Sequence, residues 1–267
     1  MSDSTDLYDS HYGNVETEVQ RAVRAEAFGE DLGQTSWITA SEVDEFFRWL
    51  ELKDGARVLE VACGSGGVAT RIAERFEAAV VGVDINEAAV KAASARAASS
   101  GVQDRARFQA VDADRPLPFP DGSFDALFCN DAINHLFDRQ AVLADWHRVL
   151  GKGGRCLYTD PIVVTGCLSS AEIAARSSIG FFLFTPVGAN ERFLEEAGLR
   201  ILKVEDLTGS VSATSRRWHD AREKRRDDLC GLEGEENFEK LQSFLRTVQL
   251  LASERRLSRF AFLAVKK

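Results

Sequence analysis

The fold is decided by the stretch Arg57-Val-Leu-Glu-Val-Ala-Cys-Gly-Ser-Gly-Gly67. Its first half, Val58–Ala62, is a short apolar run that is typical of a buried strand, and its second half is rich in glycine. A helical pattern follows from about Gly66 to Phe76. Gly64 and Gly66 allow a tight turn and let a ligand approach the backbone closely. The stretch therefore predicts a strand–turn–helix unit whose turn is open to a ligand.

Strands and helices continue to alternate after this unit. Apolar strands separated by helices of ten or more residues indicate a parallel sheet that is covered on both faces. The sequence predicts further strands at Ala79–Asp84, Arg107–Val111, Phe124–Cys129, Gly154–Asp160, Leu199–Glu205 and Arg259–Val265. We therefore predict an α/β fold with a doubly wound, Rossmann-like sheet of seven strands. N-terminal helices precede the sheet, and a helical cap at about 208–257 is inserted before the last strand.

The first 54 residues precede the sheet and are predicted to form a helical segment. A helical pattern runs from Val15 to Phe28, and a stretch rich in turn-forming residues follows it. Ser41 and Asp44 fit the Ser-x-x-acid pattern of a helix start, so we expect the second helix to begin near Ser41. Residues 55–267 form the predicted α/β domain.

Composition excludes several classes of partner. The formal net charge is −9, whereas nucleic acids and anionic membrane surfaces attract basic proteins. The N-terminus lacks the pattern of a secretion signal, and the longest apolar run is far short of the roughly 20 residues that span a bilayer. Dispersed cysteines are typical of a cytosolic protein with reduced thiols, and here they are Cys63, Cys129, Cys156, Cys167 and Cys230. We expect a cytoplasmic protein without a metal site.

An acidic residue at the end of the second strand points to a nucleotide. Asp84 lies twenty residues after Gly64, where a carboxylate can accept both hydroxyls of a ribose. The pattern Gly64-x-Gly66-x-x-Ala69 also satisfies the dinucleotide fingerprint, so a nicotinamide dehydrogenase is an alternative. Glu60 disfavours it because this carboxylate would repel a pyrophosphate and attract an ammonium group. The chain also contains no Tyr-x-x-x-Lys pair to support hydride transfer.

Three stretches of the sequence resemble motifs of class I S-adenosylmethionine-dependent methyltransferases. Glu60-x-x-x-Gly64-x-Gly66 resembles the first motif, with Ala62 where a glycine is usual. Val111-Asp-Ala113 followed by Leu117-Pro-Phe-Pro-Asp-Gly-Ser-Phe-Asp125 is similar to the third and fourth motifs. Arg148-Val-Leu-Gly-Lys-Gly-Gly154 is similar to the segment that leads into the fifth strand. The resemblance implies that S-adenosylmethionine is the cofactor.

The resemblance also assigns the cofactor contacts. Glu60 and the glycine loop would hold the methionine end, and Asp84 would bind the ribose. Ile85 would pack on the adenine, Asp112 would accept from its amino group, and Asn130 would lie beneath the sulfonium. The predicted cofactor-binding residues are Gln34, Glu60, Ala62, Gly64, Gly66, Asp84, Ile85, Asp112, Ala113 and Asn130. In related enzymes the turn that carries Gln34 and Trp37 closes over the cofactor, so residues 1–54 are also predicted to be a lid.

Asp131 and His135 are the predicted catalytic residues. They are four positions apart and would share one face of a helical turn, where they could orient an acceptor and remove its proton. Alternatively, Asp131 caps the turn and His135 fills the floor of the cleft. The closest pattern is that of phosphoethanolamine and related small-amine methyltransferases, which implies that this acid and histidine are catalytic. That pattern rests on Phe28-Gly-Glu30, Asp131-Ala-Ile-Asn-His135, Thr159-Asp160 and Asp206-Leu-Thr208.

The chain departs from that family where a phosphobase substrate would bind. The family's tyrosine before Phe-Gly-Glu is replaced by Val23-Arg-Ala-Glu-Ala27, and Tyr8 and Tyr12 lie further upstream. Ser178-Ile-Gly-Phe181 replaces its basic segment. Phe181, Phe182 and Phe184 favour a more apolar acceptor, unless they belong to the core. We predict methyl transfer to nitrogen or oxygen of a small molecule; the alternative is a protein that binds S-adenosylmethionine without catalysis.

Overall fold

A mixed eight-stranded sheet forms the centre of the computed structural model, which describes residues 15–267. The strands are β1 (Arg57–Val61), β2 (Ala79–Asp84), β3 (Ala106–Ala110), β4 (Phe124–Cys129), β5 (Leu150–Val164), β6 (Thr185–Pro186), β7 (Leu199–Asp206) and β8 (Leu257–Lys266). The seven long strands have the order β3-β2-β1-β4-β5-β8-β7, and the two-residue β6 pairs with the end of β5. β8 is antiparallel to both of its neighbours, whereas β1 to β5 are parallel. The predicted fold class is confirmed.

Helices cover both faces of the sheet. They are α1 (Glu18–Phe28), α2 (Ala40–Leu50), α3 (Gly67–Phe76), α4 (Glu87–Ser99), α5 (Arg139–Val149), α6 (Ser170–Arg176), α7 (Ala189–Glu196), α8 (Thr208–Glu223), α9 (Arg226–Glu233) and α10 (Glu235–Ser253). Apolar side chains of α2, α3 and α4 form one core, and those of α5 and α7 form another on the opposite face. Burial of both faces is what makes the strands nearly continuous in apolar residues.

The inserted cap packs on the N-terminal helix as well as on the sheet. Helices α8, α9 and α10 lie between β7 and β8 in the chain, and they share a third apolar core with α1. Phe28 contacts Trp218 edge-to-face, with ring centroids 5.2 Å apart. Lys224 and Arg225 of the cap both pair with Glu26 of α1. These two basic residues of the cap are therefore used in ion pairs within the protein.

The start of α2 differs from the sequence-based prediction. Thr39, not Ser41, caps this helix: its hydroxyl accepts from the Glu42 N–H, and the Glu42 carboxylate accepts from the Thr39 N–H. Both Thr-x-x-Glu and Ser-x-x-Asp occur in this stretch, so pattern alone could not separate them. Asp44 instead pairs with arginines of α3. The structure also starts α1 at Glu18 rather than Val15.

Two further kinds of feature can be checked in the described residues: a membrane-spanning helix and a metal site. Among residues 15–267, no helix is both long and apolar enough to cross a membrane. Within the same range, no cluster of three or more histidine, cysteine, aspartate or glutamate side chains could hold a metal ion. Tyr8 and Tyr12 lie outside the described residues.

Candidate active site

The glycine loop between β1 and α3 is packed too tightly for larger residues. Gly64 and Gly66 have φ angles of 53° and 72°, in the left-handed region. A Cβ atom at Gly66 would lie 2.6 Å from the Cβ of Ala93, and one at Gly67 would lie 1.7 Å from the carbonyl oxygen of Leu32. The loop thus requires glycine at position 67, which the sequence motifs did not predict. These glycines let the loop contact both α4 and the segment before α2.

Ala62 occupies a conformation that glycine adopts more easily. Its φ is 55°, and an L-residue in this region costs about 1–2 kcal/mol. The sequence comparison expects glycine at this position. The loop therefore keeps its shape at Ala62 with a local backbone strain, because the surrounding turn fixes the conformation.

Glu60 is a buried carboxylate at the end of β1. Its side chain is 4% exposed, and Oε2 has no hydrogen-bond partner in the described part of the chain. Burial raises the pKa of Glu60 to about 8, although a hydrogen bond from the Ala69 N–H acts in the opposite direction. A buried carboxylate is stabilised when a cation pairs with it. The position thus fits the ammonium group of a methionine moiety.

Asp84 connects two elements of the predicted nucleotide site. Its Oδ2 accepts a hydrogen bond from the Gly64 N–H, and its Oδ1 accepts one from the Asn86 N–H, both at 2.9 Å. Burial raises the pKa of the Asp84 carboxyl. Ile85, the next residue, is 71% exposed, which is unusual for a large apolar side chain and suits contact with a flat base.

Asp112 and Ala113 lie beyond the end of β3. The Asp112 Oδ1 accepts from the Asp114 N–H at 3.0 Å, and its Oδ2 lies 3.2 Å from Arg115 Nε. Ala113 is partly buried against the core on the α5 side. Because β3 neighbours β2, these residues and Asp84 share one edge of the sheet. The structure thus brings the predicted ribose and adenine contacts together.

The segment before α2 lies directly on the glycine loop. Ser65 Oγ donates to the carbonyl oxygen of Gly33 at 2.8 Å. Gln34 is buried; its Oε1 accepts from the Leu32 N–H at 2.7 Å, and its Nε2 donates to the Glu30 carbonyl at 3.0 Å. The Gln34 amide therefore shapes the segment itself, and its predicted contact with the cofactor stays a prediction.

Asp131 is held by three parts of the protein. Its Oδ1 accepts from Arg259 Nε and from Thr159 Oγ1, each at 2.7 Å. Its Oδ2 accepts from the Trp37 N–H at 2.9 Å. The residue is 8% exposed and has a φ of 53°. Asp131 therefore lies before the following turn, in a left-handed conformation. The prediction that Asp131 and His135 share one face of a helical turn was wrong.

Arg259 completes this network from β8. It is fully buried, its Nη2 donates to Asn130 Oδ1 at 3.0 Å, and its Nη1 lies within 3.2 Å of both Glu42 oxygens. Burial opposes the positive charge, but attraction to Asp131 and Glu42 outweighs it and raises the pKa of Arg259. The amide nitrogen of Asn130 donates to Ser36 Oγ at 2.6 Å. The network fixes Asn130 and Asp131 at the end of β4.

Sequence reasoning missed Arg259, Glu42 and Thr159. They contact Asp131, or each other, although the contacting residues are 28 to 217 positions apart in the chain. A local sequence motif cannot predict contacts between residues so far apart. One signal was available: Arg259 is a charged residue at the start of an otherwise apolar strand. A charge in such a place is rarely buried without a partner.

His135 ends a short 3₁₀ turn, Ile133–His135, whose first residue is not capped by Asp131. Its Nδ1 lies 2.8 Å from the carbonyl oxygen of Phe181. A carbonyl only accepts, so in the neutral ring Nδ1 carries the hydrogen and Nε2 keeps a lone pair. Burial lowers the pKa of His135, and the bond to Phe181 offsets part of this effect. The ring packs on Phe182, with centroids 4.8 Å apart.

Comparison with known proteins gives the same picture. Residues 52–181 match the profile of a family described as a methyltransferase domain. The 27-O-demethylrifamycin SV methyltransferase of Amycolatopsis mediterranei is 32% identical over 193 residues, which cover 68% of this chain and 71% of that protein. Phosphoethanolamine N-methyltransferase 3 of Arabidopsis thaliana is 28% identical over 243 residues; these cover 89% of this chain but 48% of that protein, about half its length.

A solved structure shows the same fold. It is phosphoethanolamine N-methyltransferase 2 of Haemonchus contortus in complex with phosphomonomethylethanolamine and S-adenosylhomocysteine, with a TM-score of 0.82 and 22% identity. The match covers 97% of this chain and 60% of that one. The glycine loop, the buried Glu60 and the sheet order agree with these matches. The chain therefore belongs to the class I S-adenosylmethionine-dependent methyltransferases and methylates a small molecule.

Proposed function

We propose that this enzyme methylates the hydroxyl oxygen of an uncharged small molecule and that His135 removes the hydroxyl proton. One observation carries the proposal: both oxygens of the Asp131 carboxylate already accept hydrogen bonds from Arg259, Thr159 and the Trp37 N–H, whereas Nδ1 of His135 is engaged by a carbonyl oxygen. The Asp131 carboxylate is therefore directed at protein groups rather than at an acceptor. His135 provides a neutral imidazole whose Nε2 can accept a proton.

The cofactor would lie along the carboxyl ends of β1 to β4, as ligands do in open α/β sheets. Bound S-adenosylmethionine supplies an activated methyl group. Glu60 would pair with its ammonium group, Asp84 would accept from its ribose hydroxyls, and Ile85 would cover the adenine. Asn130 would lie near the sulfonium. Asp112 would accept from the adenine amino group, and the remaining contacts would come from Gln34 and from the residues Ala62, Gly64, Gly66 and Ala113.

The transfer itself demands alignment and one proton acceptor. The acceptor oxygen forms a bond to the methyl carbon while the bond from that carbon to sulfur breaks, and the hydroxyl proton moves to His135 Nε2. Because burial lowers the pKa of His135, the ring stays neutral at pH values where an exposed histidine is already protonated. We therefore expect the rate to hold as the pH falls through 6.5 and to decline only below it.

The relatives support different acceptor atoms. The name of the Amycolatopsis enzyme specifies an oxygen, and this relative is the more similar one in identity. The phosphoethanolamine enzymes make nitrogen methylation the second candidate, favoured by a match along 89% of this chain. Their acceptor is a cation with a phosphate, and the Asp131 carboxylate is bonded to Arg259 rather than directed at such a cation.

The test is release of S-adenosylhomocysteine across a panel of neutral alcohols, phenols, amines and phosphoethanolamine. We expect turnover with hydroxyl acceptors, and a fall of about 10²–10⁴-fold in kcat for His135→Gln. His147→Gln is the matched control, since His147 lies on α5, and should leave kcat unchanged. Turnover confined to phosphoethanolamine would refute oxygen methylation. Tight cofactor binding without turnover on any acceptor would favour a binding protein instead.

We also infer a cytoplasmic location. All five cysteines are free, and three of them are buried in the core. Burial raises the pKa of Cys156 to about 12, so this thiol is unreactive. Free thiols in this number are typical of a reducing compartment. Labelling with a thiol reagent in intact cells, followed by fractionation, would test the location.

A further inference from the structure

Two phenylalanine rings are stacked on the surface beside His135. Phe137 is 64% exposed and Phe181 is 49% exposed, and their ring centroids are 4.8 Å apart with an angle of 19° between the planes. Within residues 15–267 every other phenylalanine, tyrosine and tryptophan side chain is buried or half-buried. Exposed apolar patches of this kind mark binding surfaces more often than isolated exposed residues do.

Both rings are attached to the reaction site through their backbones. The Phe137 N–H donates to Asp114 Oδ1 at 2.6 Å, two residues after the predicted adenine contact Asp112. The Phe181 carbonyl accepts from His135 Nδ1 at 2.8 Å. These bonds hold one ring to the cofactor side of the cleft and the other to the proposed base. Whatever lies on the stacked pair is therefore close to His135.

The segment of Phe181 is itself held in place. The Leu183 N–H donates to the carbonyl oxygen of Asn134 at 2.8 Å, so this segment is bonded to the 3₁₀ turn at two positions. Phe182 lies on the inner side and packs on the His135 ring, whereas Phe181 faces outwards onto Phe137. Rings that are fixed before binding lose little entropy when a ligand stacks on them.

We propose that the Phe137–Phe181 pair is the docking surface for a flat, uncharged ring of the methyl acceptor, which presents its hydroxyl to His135. This inference rests on the proposed function, in which an uncharged acceptor gives its hydroxyl proton to His135. Offset stacking of a third ring on an existing aromatic pair adds to the burial of apolar surface. The pair would thus select acceptors by the shape of their apolar part.

The test is calorimetric titration of naphthol, a neutral hydroxyl on a flat ring, into the full chain loaded with S-adenosylhomocysteine. We expect Phe137→Ala and Phe181→Ala each to weaken naphthol binding about tenfold. Phe181→Ala keeps the carbonyl that His135 uses. Leu250→Ala removes a side chain that is 44% exposed on α10 and should change affinity less than about twofold. S-adenosylhomocysteine should bind all four proteins equally.

Three results would overturn the docking surface. The first is equal naphthol affinity in wild type and both phenylalanine variants. The second is tighter binding of tetramethylammonium than of naphthol, lost in Phe137→Ala, which would make the pair a cation site. The third is a wild-type dimer that both variants convert to monomers, which would assign the pair to a second copy of the chain.

The docking surface and the proposed function can fail separately. Methylation of a hydroxyl acceptor with unchanged kcat/KM in both phenylalanine variants would leave the function and remove the surface. Ring-dependent naphthol binding without turnover on any hydroxyl acceptor would leave the surface and remove the function.

Discussion

The two halves of the cleft are built in opposite ways. On the cofactor side, around the glycine loop, Glu60 Oε2 is buried without a hydrogen-bond partner in the described chain. On the acceptor side, both oxygens of Asp131 accept hydrogen bonds, and Arg259 joins three side chains at once. An unpaired buried charge is costly until a ligand pairs with it, whereas a complete network mainly fixes a shape. The comparison indicates that Glu60 binds the cofactor, whereas Asp131 and Arg259 hold the acceptor side of the cleft in position.

The largest expected effect comes from removing the centre of the acceptor-side network. Arg259→Met leaves two buried carboxylates without their cation, so we expect the free energy of unfolding to fall by about 3–5 kcal/mol in urea denaturation. Arg255→Met is the control: this neighbour is 61% exposed and pairs with Asp206, so its loss should cost about 0–1 kcal/mol. Equal costs for the two variants would mean that the network does not stabilise the fold.

A smaller effect is expected where the glycine loop meets the segment before α2. In Gly67→Ala the new Cβ would lie 1.7 Å from the Leu32 carbonyl, so that segment must move. We expect a loss of about 1–3 kcal/mol in stability together with weaker S-adenosylhomocysteine binding. Gly209→Ala is a matched change in α8 with no atom within 4 Å, and it should stabilise the helix by up to about 1 kcal/mol. If Gly67→Ala bound normally, the contact would not support the cofactor site.

Ionisation of Glu60 should be coupled to cofactor binding. Its pKa is about 8 in the folded chain and 4.5 in an ordinary glutamate. This contribution to stability is therefore fully present below pH 4.5 and is lost as the pH rises towards 8. Pairing with the ammonium of S-adenosylmethionine favours the ionised form, so binding at pH 7 should release close to one proton.

Calorimetry in buffers of different ionisation enthalpy measures that proton directly. Glu60→Gln keeps the size of the side chain but has no proton to release, and it should also remove the part of the stability change between pH 4.5 and 8 that Glu60 contributes. The same proton release in Glu60→Gln and wild type would show that Glu60 does not pair with the cofactor.

The smallest effect concerns the strained alanine of the glycine loop. Ala62→Gly should raise stability by about 0.5–1 kcal/mol, because glycine adopts a φ of 55° without a Cβ clash. Ala95→Gly in the exposed face of α4 should instead lower stability by about 1 kcal/mol. Thermal unfolding of both variants gives the comparison, and destabilisation by Ala62→Gly would show that the methyl group contributes to packing.

The same division explains what could be predicted from the sequence. The sheet and the glycine loop depend on local patterns, so their strands, Glu60, Asp84 and the loop could be placed from residues close together in the chain. The acceptor side depends on Arg259 and Glu42, which are 217 positions apart, and only folding brings them together. The start of α2 was wrong because two overlapping capping patterns compete within six residues, from Thr39 to Asp44.

The most direct measurement is the position of the transferred methyl group. The full chain would be incubated with S-adenosylmethionine carrying a deuterated methyl group, together with equal amounts of naphthol and phosphoethanolamine, and the products would be identified by mass spectrometry. We expect the label on the naphthol oxygen, and its loss in His135→Gln. A label on the nitrogen of phosphoethanolamine, with naphthol unchanged, would contradict the assignment of Asp131 to positioning and His135 to proton removal.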